Sequence, residues 1–421
     1  MTRMSGKVLA ILILGVLLIF SAGSAFAAGQ GESTKGESVK LQFTSWMVAE
    51  QSGGEVWLPE RIKVWEKAHP GVTVEVTPLG WEDTPDKITM QIQGKNAPDV
   101  FTIESLWLGK FARMPGGVED LTSRMDAAFT STLVPAYKGG ELDGKMAGLV
   151  WSPNPWVIVY NKELAKRAGV SGHPRSFDDF IAQGRAIHAL GPDIYGIGLQ
   201  LGVDEYSADT FHIVAWPSGG DILDSALKPA ARSAGTVKTI RLIKDLVDQK
   251  VVPFGEEVRN LRTLFAKGKV GFFFEGPWIA GILDGEGMQR DQWGVAEWPG
   301  EVQPASHILM LSQQSKHKDL AFDLMKFLVT DETTTKEYFK RTGLLPMVKD
   351  QYKDPQYDSD YAKTFLAQMS RLKNPNVWKS GKKYELEIAF CQEMQKILLG
   401  QGGVDETLAG LDKKMADILN N

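Results

Sequence analysis

The sequence is poor in the residues that build disulfides and metal sites. Its 421 residues include one cysteine and six histidines. A single cysteine cannot form an intramolecular disulfide or a cysteine-rich metal site. No two histidines stand four residues apart, as they do on a zinc-binding helix. We therefore expect no metal and no cofactor, and we expect Cys391 to be a small buried apolar residue.

The chain also lacks an excess of either charge. It has 47 Lys and Arg against 52 Asp and Glu, which gives a formal net charge of −5. A surface that binds nucleic acid needs clustered Lys and Arg to neutralise phosphates, so we expect no nucleic-acid partner. The hydrophobic content of 43% is that of an ordinary folded protein and excludes disordered and collagen-like chains.

Catalytic motifs are missing or incomplete. Gly139–Lys145 spells G-x-x-x-x-G-K, but Met146 stands where a phosphate-binding loop needs Ser or Thr, and no buried strand precedes it. The sequence has no G-x-S-x-G elbow. A glycosidase needs two carboxylates at a fixed separation, and no pair among the many acidic residues is distinguished by the sequence. We therefore expect a protein that is not an enzyme.

The only long apolar run is at the N-terminus. Arg3 and Lys7 precede the apolar segment Val8–Phe20, and small residues follow up to Ala27. This order is typical of a secretory signal peptide, and the run is shorter than the about 20 residues that span a bilayer. We expect a signal peptide at 1–27, cleavage near Ala27 and a periplasmic protein. Cys391 is far from this site, so we expect no lipid anchor.

The rest of the chain alternates between strand and helix patterns. After a Gly- and Ser-rich segment at 28–39, which predicts a flexible tether, Val39–Thr44 and Val72–Val76 alternate as strands do. The spacing of Leu58, Ile62 and Trp65 is helical, and a second series of strands and helices follows later. Such alternation is typical of α/β proteins. We predict two α/β lobes, each with a mostly parallel sheet flanked by helices.

Tryptophan is the residue that the sequence has in plenty, with twelve in all. In open α/β sheets, ligands bind where loops follow the carboxyl ends of strands. An indole in such a loop offers a flat apolar face and one N–H donor. Sugar rings present C–H groups on their faces and hydroxyls on their edges, so loop indoles favour a carbohydrate site. Seven tryptophans lie mostly just after strands or beside Gly and Pro: Trp46, Trp81, Trp107, Trp151, Trp216, Trp278 and Trp378.

Several motifs occur in the order and spacing of one known family. The sequence Asn96–Val100 is similar to G-x-x-P-D-V, Leu142–Leu149 to D-G-K-x-Y-G-x-P, Val159–Val170 to Y-Y-N-K-x-x-x-x-x-A-G, Pro174–Phe180 to P-x-T-W-D-E-L, and Phe265–Trp278 to F-x-x-G-K-A-A-M … G-x-W. From about Lys40 to Leu419 the chain resembles the family 1 extracellular solute-binding proteins, the receptors of ABC-type carbohydrate importers.

The resemblance implies a two-lobed periplasmic-binding-protein fold whose chain crosses between the lobes three times, near Val150, Ser306 and Pro346. The N-terminal lobe is then 40–149 plus 306–345, and the C-terminal lobe is 150–305 plus 346–421. It also implies that a carbohydrate is captured in the interlobe cleft, that the lobes close on it by a hinge, and that an ABC transporter permease receives it. We expect a monomer.

The resemblance and the loop indoles together suggest a set of ligand-binding residues. We expect Trp46, Glu50, Glu104 and Trp107 from the first lobe, Trp151, Asn154, Trp216, Glu275 and Trp278 from the second, and His307 and Trp378 as further candidates. Two other functions stay open at this point. One is a receptor of the same fold for a non-sugar solute such as a polyamine, held in an aromatic box ringed by carboxylates. The other is a secreted carbohydrate-active enzyme.

Overall fold

The computed structural model describes residues 38–50 and 54–420, and the described residues from Val39 onward form one compact unit. The predicted signal peptide and the tether up to residue 37 lie outside the described residues, as does the side chain of Glu50. None of the helices in the two described ranges combines the length and the apolar character that crossing a membrane requires.

The strands form two main sheets and one short hairpin. They are β1 (Val39–Ser45), β2 (Val72–Pro78), β3 (Val100–Glu104), β4 (Glu141–Leu142), β5 (Lys145–Met146), β6 (Leu149–Ser152), β7 (Val157–Asn161), β8 (Tyr195–Gly198), β9 (Val270–Glu275), β10 (Trp293–Ala296) and β11 (His307–Leu311). The first sheet has the order β2-β1-β3-β11-β6 and the second the order β10-β7-β9-β8, while β4 and β5 pair with each other.

Both sheets are mixed, although we predicted mostly parallel ones. In the first sheet β1 pairs in parallel with β2 and β3, but β11 runs antiparallel to β3 and β6. In the second sheet β8 and β9 are parallel, whereas β7 runs against β9 and β10. Because β11 and β7 run against their neighbours, their first residues lie at the same sheet edge as the last residues of those neighbours.

Helices flank both sheets. They are α1 (Trp46–Glu50), α2 (Gly54–Ala68), α3 (Thr84–Gln93), α4 (Leu108–Ala112), α5 (Ala127–Thr132), α6 (Lys162–Ala168), α7 (Phe177–His188), α8 (Glu205–Ala215), α9 (Ala234–Asp248), α10 (Val258–Ala266), α11 (Ile279–Gly285), α12 (Lys318–Thr330), α13 (Glu332–Thr342), α14 (Asp360–Gln368), α15 (Lys383–Leu398) and α16 (Val404–Asn420). Side chains that accept from backbone N–H groups begin several of them, such as Ser176 before α7 and Asp204 before α8.

The strand and helix patterns of the first hundred residues are confirmed. The alternating segment from Val39 is β1, the one from Val72 is β2, and the helical spacing of Leu58, Ile62 and Trp65 belongs to α2. These three side chains are 2% exposed or less, because they form the face of α2 that packs against the core. Cys391 is buried, as we predicted.

Two crossovers between the sheets lie side by side. The first runs from Ser152 in β6 to Val157 in β7, so the first sheet extends past the predicted boundary at Val150. The second runs from β10 to β11. Asn154 joins them, since its Nδ2 donates to the Ala305 carbonyl (3.1 Å) and its own carbonyl accepts from the Ala305 N–H (2.7 Å).

Candidate functional site

The site begins where three strands of the first sheet meet at one edge. Trp46 directly follows β1, Glu104 ends β3, and His307 begins β11 opposite Glu104 in the register. The Trp46 ring lies edge-on to the rings of His307 and Trp107, with centroids 5.1 Å and 6.0 Å away. The sheet therefore brings together four of the side chains that we predicted for the site.

A fifth side chain, also aromatic, completes this half of the site. Trp81 lies in the loop after β2, and its Nε1 donates to Glu104 Oε2 over 2.7 Å. Its ring centroid is 4.8 Å from that of Trp107. Glu104 is only 5% exposed, so this charge-assisted hydrogen bond helps to compensate a buried carboxylate.

Burial also fixes the protonation state of His307. Its Nδ1 lies 2.8 Å from the Tyr338 hydroxyl. Burial lowers the pKa of His307 to about 3, because the imidazolium form would lose its hydration. The ring is therefore neutral at physiological pH, and its other nitrogen is left to donate or accept according to the tautomer.

The second sheet contributes a buried ion pair. Glu275 ends β9, is 1% exposed, and accepts from Arg262 Nε (2.5 Å) and from Trp278 Nε1 (2.8 Å). Burial disfavours the charge on Arg262, but the attraction of Glu275 outweighs it, so the pKa of Arg262 is raised. A Cβ at Gly276 would lie 2.2 Å from the Trp278 ring, so the glycine lets this indole fold back over the strand end.

Tyr206 links the two halves. It lies in the first turn of α8 in the second lobe, and its ring stacks on Trp81 of the first lobe with centroids 5.3 Å apart and an angle of 30°. Burial raises the pKa of Tyr206 well above its usual value, and the charges of Glu104 and Glu275 add to this effect. The hydroxyl therefore stays protonated, and carboxylates of both lobes contribute to the raised pKa of this one phenol.

Two indole N–H groups at this site have no hydrogen-bond partner in the described part of the chain. They are Trp107 Nε1 and Trp156 Nε1, in side chains that are 4% and 2% exposed. The Trp156 ring lies 6.1 Å from Tyr206, and Trp107 contacts Trp81. A buried donor without a partner costs about 1–3 kcal/mol, so both positions favour an acceptor supplied by a ligand.

A cavity of about 230 Å³ lies beside the chain segment that follows Glu104. It is lined by Ser105 and Leu108, just after Glu104, and by Asn374 and Trp378 from the C-terminal third of the chain. Trp378 is 6% exposed, and within the described ranges its Nε1 has no partner. Trp378 therefore lines this cavity, and within the described ranges no ring contact joins it to the aromatic cluster.

Three predicted site residues lie elsewhere. Trp151 stacks on Tyr338 (4.7 Å, 3°) and donates to the Leu328 carbonyl, because β6 belongs to the first sheet and carries Trp151 into its core. Asn154 is fully buried and joins the two crossovers. The Trp216 N–H donates to Asp221 (3.1 Å) in the second lobe. Glu50 ends α1, but its side chain lies outside the described residues.

The structure adds residues that the sequence reasoning did not assign to the site: Trp81, Trp156, Tyr206 and Arg262. Trp81 stood among the loop indoles, and its place after β2 was the available signal. Trp156 follows two prolines in the first crossover, so its sequence context resembles that of the other loop indoles. No local pattern distinguished Tyr206 and Arg262, because helix packing in the second lobe brings them to the cleft.

The described side chains offer no cluster of three or more His, Cys, Asp or Glu that could hold a metal ion. The arrangement instead combines flat aromatic faces, indole donors and buried carboxylates from two lobes. Such a site can bind and orient a small polar molecule with apolar faces. Fold and site together define a two-lobed binding protein.

Comparison with known proteins agrees with this class. The model of the bacterial extracellular solute-binding protein family matches residues 49–335, and the chain belongs to this family. The family resemblance that the sequence motifs indicated is thereby confirmed, and so is the two-lobed α/β fold.

Individual relatives are similar over most of their length. A Brucella abortus protein described only as a binding protein is 27% identical over 376 residues, which cover 85% of this chain and 88% of the relative. The diacetylchitobiose-binding protein of Streptomyces coelicolor is 23% identical over 77% of each chain. The structure of the sugar-binding protein MalE of Xanthomonas citri superimposes with a TM-score of 0.77, at 21% identity, over 91% of this chain and 98% of that one.

Proposed function

We propose that this protein binds a carbohydrate between its two lobes and delivers it unchanged to the permease of an ABC transporter. The observation that carries the proposal is that one site contains both indole N–H donors without partners and buried carboxylate acceptors. Trp107 and Trp156 need an acceptor, whereas Glu104 and Glu275 are acceptors. A sugar hydroxyl both donates and accepts, so neighbouring hydroxyls serve both kinds of group.

The same observation favours a sugar over a polyamine. An ammonium group donates hydrogen bonds but cannot accept them. A polyamine would contact the carboxylates and the aromatic faces, yet it would leave the N–H groups of Trp107 and Trp156 unpaired. The names of relatives that bind diacetylchitobiose or other sugars support the carbohydrate as well.

Closure of the lobes on the sugar supplies the signal that the permease reads. Moving a two-state equilibrium from 1:99 to 99:1 takes about 5.5 kcal/mol of differential affinity. Aromatic contacts contribute about 0.5–1.5 kcal/mol each beyond their burial. Trp46 and Trp107 on one lobe and Trp278 on the other, with hydrogen bonds made only on closure, suffice for this shift.

The family context and the leader pattern support export to the periplasm. We propose that a signal peptide is cleaved near Ala27 and that the mature protein acts as a monomer without a lipid anchor. The intact mass of the protein recovered from the periplasmic fraction locates the cleavage site, and sedimentation velocity gives the oligomeric state. A lipid-modified mass or a dimer would contradict these points.

Calorimetry with a small ligand panel tests the proposal. We expect one of maltotriose, N,N′-diacetylchitobiose and arabinotriose to bind, and to be recovered unchanged after prolonged incubation. Trp107→Phe and Trp156→Phe keep an aromatic ring but remove the N–H, so each lowers the affinity about tenfold.

The matched control is Trp57→Phe. The Trp57 N–H also has no partner in the described part of the chain, but its ring packs against Tyr338 in the first-lobe core. We expect wild-type affinity in this variant. Tighter binding of putrescine or spermidine than of every sugar contradicts the carbohydrate, and hydrolysis of a sugar contradicts simple binding.

A further inference from the structure

A second aromatic recess lies on the second lobe. It has a volume of about 200 Å³ and is lined by Phe177, Trp216, Trp298, Gly300 and Glu301, among others. In the described part of the chain, no ring contact joins Trp216 or Trp298 directly to the stack of Trp81 on Tyr206 that lies between the lobes. The recess is therefore a separate feature from the cleft site.

Its wall contains an unused hydrogen-bond donor. Trp298 is fully buried, and its Nε1 has no partner among residues 38–50 and 54–420. A Cβ built on Gly300 would lie 2.7 Å from this nitrogen, so the N–H edge of the indole is directed toward the Gly300 part of the lining. An unpaired buried donor is unfavourable, and this one faces a segment that borders open space.

The rim carries groups of complementary hydrogen-bonding character. Glu301 is an acceptor and Lys373 a donor, paired over 2.6 Å with side chains that are 52% and 37% exposed. The Lys373 ammonium lies 4.8 Å from the centroid of the Trp216 ring. The ammonium therefore covers part of this ring, and a ligand meets only the part of Trp216 that lines the recess.

The lining is held in place before any ligand arrives. The backbone N–H of Trp298 donates to Gln368 Oε1 (2.8 Å), and the backbone carbonyl of Trp298 accepts from Arg371 Nη1 (2.6 Å). The backbone N–H of Lys373 donates to the Val302 carbonyl (2.8 Å), which keeps Lys373 beside Glu301. A preorganised lining lowers the entropy cost of binding.

We propose that this recess binds one pyranose ring of an oligosaccharide, as a second subsite outside the cleft. A sugar ring supplies what the lining needs, namely C–H groups for the Trp216 face, an oxygen for the Trp298 N–H and hydroxyls for Glu301 and Lys373. An aliphatic ligand would leave the indole N–H of Trp298 without an acceptor. The inference rests on the proposed function, because it assumes that the protein takes carbohydrates.

Nuclear magnetic resonance of the full chain with ¹⁵N-labelled tryptophan tests the subsite. The indole resonances of Trp298 and Trp278 are assigned with Trp298→Phe and Trp278→Phe. Maltotriose, N,N′-diacetylchitobiose and methyl β-D-glucopyranoside are then titrated separately. We expect two separate binding transitions in each titration that shows binding. The Trp278 resonance reports the cleft phase, and the Trp298 resonance shifts in a second phase whose midpoint lies at a higher sugar concentration.

Two variants locate the second phase. Gly300→Ala places a methyl group against the Trp298 N–H, and Glu301→Gln replaces the rim carboxylate on an exposed side chain that the fold does not need. Each variant raises the sugar concentration at the midpoint of the Trp298 phase about tenfold and leaves the midpoint of the Trp278 phase unchanged. Gly403→Ala is the control, because a Cβ there meets nothing within 4 Å, and both phases keep their wild-type midpoints.

The outcomes separate this subsite from the proposed function. A Trp298 resonance that none of the three sugars moves, beside a normal cleft phase at Trp278, overturns the subsite alone. A Trp298 phase that is indifferent to both variants overturns it too. If no sugar moves the Trp278 resonance, the proposed carbohydrate site in the cleft fails, whatever Trp298 does.

Discussion

The hydrogen-bond partner of each indole separates the tryptophans into groups. The N–H groups of Trp65 and Trp151 are satisfied by Asp323 and by a backbone carbonyl, which ties both rings into the first-lobe core. Trp107 and Trp156 have no such partner in the described ranges, but their rings lie against Trp81 and Tyr206, on which the carboxylates Glu104 and Glu275 act. Trp57 shows that an unused N–H alone does not make a site. The nearby carboxylates distinguish the site indoles.

His307 gives a prediction about stability and pH. Its pKa is about 3 in the folded protein against 6.5 in the unfolded chain, so the unfolded chain binds more protons between these values. The contribution of the neutral ring is complete above pH 6.5 and is lost as the pH falls toward 3. Between pH 7 and pH 5, urea unfolding of the wild type should lose about 2 kcal/mol more than His307→Gln. Parallel pH profiles for the two proteins would contradict this.

At the scale of elements, strand ends were the most predictable part of the site. Trp46 directly follows β1, and Glu104 and Glu275 end β3 and β9, which are short strands that the sequence marks clearly. Trp151 was misplaced because a short strand does not reveal which sheet it joins, and β6 pairs with β11 of the first sheet. Tyr206 was missed because its position depends on packing between helices and on the approach of two lobes, which no local pattern encodes.

The packing of α7 on β8 depends on two facing glycines. A Cβ at Gly196 would lie 1.8 Å from the Gly184 carbonyl oxygen, so helix and strand backbones touch here. Gly196→Ala forces them apart and should lower the free energy of unfolding by about 1–3 kcal/mol or more. Gly410→Ala in α16, where a Cβ meets nothing, should instead raise it by up to about 1 kcal/mol. Equal urea midpoints for the two variants would refute the close contact.

At the scale of the whole molecule, two of the contacts between the lobes in the described part of the chain bear on the closing motion. The crossovers are joined by the hydrogen bonds of Asn154 with Ala305, and the cleft is bridged by the stack of Trp81 on Tyr206. The first contact holds neighbouring strands of the hinge together, whereas the second exists only while the lobes are close. A ligand that binds among these aromatic rings therefore acts directly on the closing motion.

Removal of the interlobe stack should open the protein. Tyr206→Ala deletes an aromatic contact of about 0.5–1.5 kcal/mol, so the ratio of closed to open molecules falls about two- to tenfold. Tyr206→Phe keeps the ring and serves as the control.

The distance between the lobes is measured with spin labels on two introduced cysteines, Lys63→Cys and Lys238→Cys. Burial raises the pKa of the native Cys391 thiol well above its usual value, so Cys391 reacts slowly and the labels attach selectively to the introduced cysteines. Double electron–electron resonance should then show longer distances between the two labels in Tyr206→Ala alone. Identical distance distributions in all variants would show that the stack does not hold the lobes together.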